Sequence, residues 1–135
     1  MRQLSRLPDW QLYLDALVSE RLHQSFVWGL NDCTIFAADC VLAITGVDLA
    51  VGLRGLNAKA ACRLIRSSGG MIQLMSGALG SVRGVSQAQP GDVVMFKAGK
   101  HDAVAVMIDD FAAAPARYGL MAIPLSASLC SWKVG

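Results

Sequence analysis

The sequence predicts an α+β domain, with a helical part over about residues 9–80 and a sheet part over about 84–134 of the 135-residue chain. Apolar residues recur at helical spacing in four segments of the first part, each bounded by capping residues or glycines. From Gly84 onward the apolar runs shorten, and the turn signals "QPGD", "AGKHD", "DD" and "ARYGL" divide them. No internal repeat, low-complexity tract or linker splits the chain, so a single domain over 1–135 with one core is expected. Helices that precede the strands, rather than alternate with them, form the α+β pattern.

The first helix is expected over residues 9–24, where Trp10, Leu12, Leu14, Leu17, Val18 and Leu22 approximate one face. Asp9, after Pro8, is placed to cap it, and His23 stands at the end where a positive charge suits the helix dipole. The second helix starts after Asn31 and Asp32, either of which can cap it, runs through "CTIFAADCVLAIT" and stops at Gly46. A third covers "NAKAACRLIRSS" with Asn57 as its cap and ends at Gly69 and Gly70; a short fourth covers "MIQLMSGAL". "DVVMFKA", "AVAVMI", "FAAAP", "MAIPL" and "SWKV" then read as four or five antiparallel strands, with Pro90, Gly91 and Asp92 turning into the first.

Composition narrows the function. Hydrophobic residues make up 54% of the chain and charged residues 16%, which is more apolar than the usual soluble domain. Part of that surplus is expected to meet a partner. Asp39 splits the longest apolar run, "FAADCVLAI", so no membrane span is expected. The N-terminus "MRQLSRLPDW" has no apolar export signal, and a cytoplasmic start is the expectation. A net charge of +2, with scattered Lys and Arg, argues against nucleic acid as a partner. Cys33, Cys40, Cys62 and Cys130 form no CxxC pair and lie far in sequence from His23 and His101, so reduced thiols are expected and neither metal nor cofactor is. Cys40, Cys62 and Cys130 are expected in the core, where cysteine acts as a small hydrophobe.

The stretch "VWGLNDCTIF" carries the chemistry. At the start of a helix the Cys33 sulfur meets unpaired backbone N–H groups and the positive end of the helix dipole, both of which favour thiolate over thiol. A nucleophilic cysteine also needs a base, and His101 is the candidate on the sheet side. Cys33 is either a competent thiolate or a packed relic of one; His101 is either its base or a solvated turn residue beside Lys100 and Asp102. Asp32 caps a helix whether or not it supports catalysis, and Trp28 either lines a pocket or packs. Trp10, Trp28 and Trp132 are candidates to anchor a partner.

"WGLNDCTIF", the later "QPGDVVMF" and a strand headed by a His resemble the NlpC-type cysteine peptidases, which have a compact papain-like fold. More narrowly, "WGLNDCTIFAADCV", "LRGLNAKAACRLI", "GG" and the late "AAAPARYGL" followed by "IPL" resemble a phage and prophage family found with tail genes. The resemblance covers about residue 9 to Trp132. It implies a papain-like NlpC-type fold with helices packed on a small barrel-like sheet, Cys33 as nucleophile, Asp32 in support, and Trp28 and Gly29 as the wall leading into the site. It further implies other phage tail or tail-tip proteins as partners, bacterial wall peptide as a candidate substrate, and a location in the virion tail after assembly in the host cytoplasm.

The chain departs from that pattern in two places. Aligning "AVAVMID" on the family's His-headed strand puts Ala103 where the base belongs, and His101 lies two residues earlier, roughly 6–7 Å along a strand. The next strand, "FAAAP", carries no polar side chain to orient an imidazole. The expectation is therefore a structural or assembly protein of the phage tail with a degenerate catalytic site. The alternative is an active cysteine endopeptidase that cuts peptidoglycan peptides as the phage penetrates the wall.

Overall fold

The computed structural model describes residues 4–135 and contains four α-helices followed by five strands. They are α1 (Trp10–Arg21), α2 (Cys33–Thr45), α3 (Ala58–Ser67), α4 (Met71–Leu79), β1 (Val93–Ala98), β2 (His101–Met107), β3 (Phe111–Ala116), β4 (Gly119–Pro124) and β5 (Ser128–Trp132). The chain is α+β as the sequence predicts, with one antiparallel sheet in the order β4-β3-β2-β1-β5.

Local chemistry sets most helix ends. Asp32 caps α2 by accepting from the Ile35 N–H at 2.9 Å, and Gly46, at φ 78°, closes it by donating its N–H to Leu42 O at 2.8 Å. Asn57 caps α3 in the same way through the Ala60 N–H. The first helix departs from expectation: it ends at Arg21, Asp9 makes no capping bond, and His23 lies exposed beyond the end. Its apolar face is narrower than its spacing suggests. Leu14 is buried, Trp10, Leu17 and Val18 pack at the margin, and Leu12 and Leu22 remain exposed.

Helix α2 lies at the centre, with nine of its 13 residues buried, and so is apolar nearly all round. It packs on one face of the sheet through Phe36, Cys40, Val41 and Ile44 against Val93, Met95, Val104, Val106 and Trp132. The opposite face holds a second cluster of Val94, Phe96, Ala103, Ala105, Met107 and Ile123. Because successive strand residues point to opposite faces, burial on both faces gives β1 and β2 their unbroken apolar runs. Among the described residues no helix is long and apolar enough to cross a membrane.

A polar clamp joins the chain ends beside β1. The Arg6 guanidinium donates to Val134 O (2.8 Å), Pro90 O (2.8 Å) and Asp92 Oδ1 (3.0 Å), and stacks 4.2 Å above the Trp10 ring. Asp92 also accepts from the N–H groups of Gln89 and Val134. The Gly91-Asp92 turn thus holds distant backbone as well as its own.

Candidate functional site

Residues 24–33 arrive at the sheet through a tight loop built on buried polar groups. Asn31, one of the two expected caps, serves the loop instead, because its amide donates to Ser25 O at 3.0 Å and its carbonyl oxygen accepts from Arg21. Gly29 adopts φ 76°, donates to Asp32 Oδ2 at 2.8 Å and accepts from the Gly55 N–H at 2.9 Å. A side chain there would meet Leu56 O at 2.6 Å, so the close approach of two backbones requires glycine. This loop delivers Cys33 to the first turn of α2 and stands Trp28 edge-on to Phe26, with ring centroids 5.0 Å apart.

The Cys33 sulfur lies against β2, between the two core clusters. Backbone N–H groups of Val104, Thr34 and Cys33 itself lie near it and draw its pKa down, as the helix start leads one to expect. Burial opposes them and is the larger effect, and the Asp32 carboxylate adds repulsion, so the pKa is pushed up to about 11. At neutral pH Cys33 is a thiol. Asp32 is a structural cap: it takes hydrogen bonds from Gly29, Thr34 and Ile35, and its charge works against the thiolate.

A break in the sheet makes room for the sulfur. Pairing between β2 and β3 is confined to Val106 with Ala113 and Met107 with Ala112. Continuing that register would set Val104 opposite Pro115, which has no N–H to donate. The Val104 N–H turns to Cys33, while Ala116 O on β3 accepts from the Phe26 N–H. The strands separate here around a cleft of about 520 Å³.

Cys33, Trp28 and His101 line this cleft together, and Ala103 forms part of its floor. Ala103 is buried in the cluster that Cys33 contacts, whereas His101 is exposed at the start of β2. Gly29 is not among the lining residues; it supports the wall from behind. Where an orienting side chain would stand on the following strand, the cleft presents Ala114 and Pro115. No group of three or more His, Cys, Asp or Glu side chains suited to a metal assembles among the described residues.

Two expectations change at this site. Cys62, expected in the core, is exposed and lines the cleft with Arg66, one turn further along α3. Helix α3 turns Ala61 inward and leaves Cys62 at the margin, while Cys40 is fully buried and Cys130 half-buried. The spacing of Cys62 and Arg66, four residues apart in "ACRLIRSS", was the available signal for this wall. Of the three tryptophans only Trp28 is exposed; Trp132 is buried and donates to Ser76 Oγ at 3.1 Å.

Comparisons with curated proteins and with solved structures each found no match. A family model described as "Domain of unknown function (DUF6950)" matches residues 5–134. That span includes both core clusters, the cleft and the terminal clamp, and the chain belongs to this family.

Proposed function

We propose that this domain is a structural or assembly component of a bacteriophage tail or tail tip, built on a papain-like NlpC-type scaffold whose catalytic site is degenerate. The observation that carries the loss of catalysis is the surroundings of Cys33: a half-buried thiol, held protonated at neutral pH, beside Ala103 and facing Ala114 and Pro115. A cysteine nucleophile needs a base within hydrogen-bonding reach and a group to orient it. Alanine and proline side chains supply neither. The phage assignment is supported by the combination of "WGLNDCTIFAADCV", "LRGLNAKAACRLI" and "AAAPARYGL" in one chain. Its partners on this reading are other tail proteins, met in the host cytoplasm and kept in the virion.

A second reading, a cysteine endopeptidase acting on wall peptides, is favoured by one observation: Cys33 and His101 line the same cleft. A phage carrying the gene separates the two. With Cys33→Ala, tails assemble and infect as before, whereas deletion of the gene blocks tail assembly. A Cys33→Ala phage that assembles normal tails yet fails to infect would overturn the structural reading in favour of the peptidase.

A further inference from the structure

We infer that the cleft is a docking site for an extended peptide with small apolar side chains and a free carboxylate, laid along the unpaired edge of β2 with the carboxylate between Arg66 and Lys100. The inference rests on the reading that the site binds without cutting, and it names the class of ligand.

Three observations select this occupant. The first is backbone. His101 follows Ala98 across a two-residue turn, so alternate residues of β2 bond to β1, and the N–H and C=O groups of Asp102, Val104 and Val106 point towards β3. Val106 finds Ala113 there, and the Val104 N–H finds Cys33. The Val104 carbonyl and both backbone groups of Asp102 lie where β2 and β3 have parted, and an added strand satisfies such an edge.

The second observation is the floor. Phe96, Ala98, Ala103 and Ala114 line it, giving an apolar trough with little side-chain relief. At about 520 Å³ the cleft lies within the range of small-ligand sites, and its shallow alanines leave room for backbone to approach β2 closely.

The third is charge. Arg66 from α3 and Lys100 from the β1–β2 turn reach the cleft from different walls, joined by His101. The one lining carboxylate, Asp102, lies 2.5 Å from Lys97 Nζ. Arg66 and Lys100 belong to none of the ion pairs among the described residues. An apolar trough ending in two unpaired cations suits a ligand that is apolar along its length and anionic at one end. The strand edge selects a peptide over a fatty acid, which has no amide groups to pair.

Fluorescence anisotropy on the full chain tests this with a labelled short alanine–leucine peptide bearing a free C-terminal carboxylate, compared with its C-terminal amide. The acid is expected to bind about tenfold more tightly than the amide, the loss of one charge-assisted hydrogen bond. Arg66 and Lys100 are both exposed, so the double variant Arg66→Ala, Lys100→Ala folds normally and should lose a similar factor. Lys133→Ala, outside the cleft, should lose none. Equal affinity for acid and amide, or an unaffected double variant, overturns the inference; so does displacement of the peptide by equimolar decanoate. Mass spectrometry of the recovered peptide keeps the two readings apart. A peptide bound through its carboxylate and recovered intact supports both. One bound in the same way and recovered cut supports docking and overturns the loss of catalysis, while absence of binding overturns docking alone.

Discussion

At Cys33 the helix start and the protein interior pull the same proton in opposite directions. Three N–H groups favour the thiolate, yet burial and the Asp32 carboxylate together raise the pKa from 9.0 to about 11. The folded state therefore holds this proton more tightly than the unfolded chain does. The stability it contributes is complete below pH 9 and is lost as pH rises through about 11, at about 1.4 kcal/mol per pH unit, or about 3 kcal/mol in all. Urea unfolding between pH 8 and about 11 should show this decline, and Cys33→Ala should make it shallower; a variant with the wild-type slope contradicts the assignment. Cys40, raised further by its own burial, leaves a residual slope in both proteins. Thiol alkylation gives an independent check. At neutral pH exposed Cys62 should be modified first and Cys33 slowly, with the Cys33 rate climbing as pH approaches about 11. The sequence shows that Cys33 begins a helix and that Asp32 precedes it, since capping is local. It does not show the direction of the pKa shift, because the burial that decides it comes from β2, some 70 residues later.

The same division between near and far recurs at the level of elements. Helices α2, α3 and α4 begin and end where Asp32, Asn57 and the glycines place them, because each signal acts within one turn. For α1 the spacing of apolar residues misleads: Leu12 and Leu22 sit at plausible positions but find nothing to cover them. Asp39 is the reverse case. In sequence it only interrupts an apolar run, yet in the fold its carboxylate receives Arg21 at 2.6 Å and Arg54 at 2.7 Å, tying α2 to α1 and to the loop before α3. Asp39→Ala leaves the Arg21 guanidinium mostly buried without its partner, and is expected to destabilise the protein by about 3–5 kcal/mol in urea unfolding. A change below about 1 kcal/mol would place the pair among surface ion pairs instead. The parting of β2 and β3 was half legible: Pro115 announces a broken ladder, but only the register reveals that it falls opposite Val104.

Across the whole molecule, the segment before α1 and the residues after β5 meet at Asp92. Arg6 and Val134 lie 128 positions apart in sequence, and both bond into the turn that opens β1. The turn itself was legible from Pro90, Gly91 and Asp92; its partners were not, since nothing local marks an arginine so far away as theirs. Arg6→Ala removes three hydrogen bonds and leaves the buried Asp92 carboxylate with backbone donors alone. We expect a loss of about 2–3 kcal/mol in urea unfolding, and little change in far-UV circular dichroism of the folded protein. The closure of the chain on itself also bears on the sheet's perimeter. The outer side of β5 is bridged by Arg83 to Ser131, and on β4 the Leu120 N–H is taken by Leu22 O. Each margin is thus held at one point, and a further stretch of unpaired backbone lies inside the sheet, in the notch between β2 and β3. A rigid neighbour cannot bring a strand into that recess, whereas a loose chain end can thread it. The notch therefore sorts its visitors by whether they are folded, keeping one narrow berth for a flexible tail.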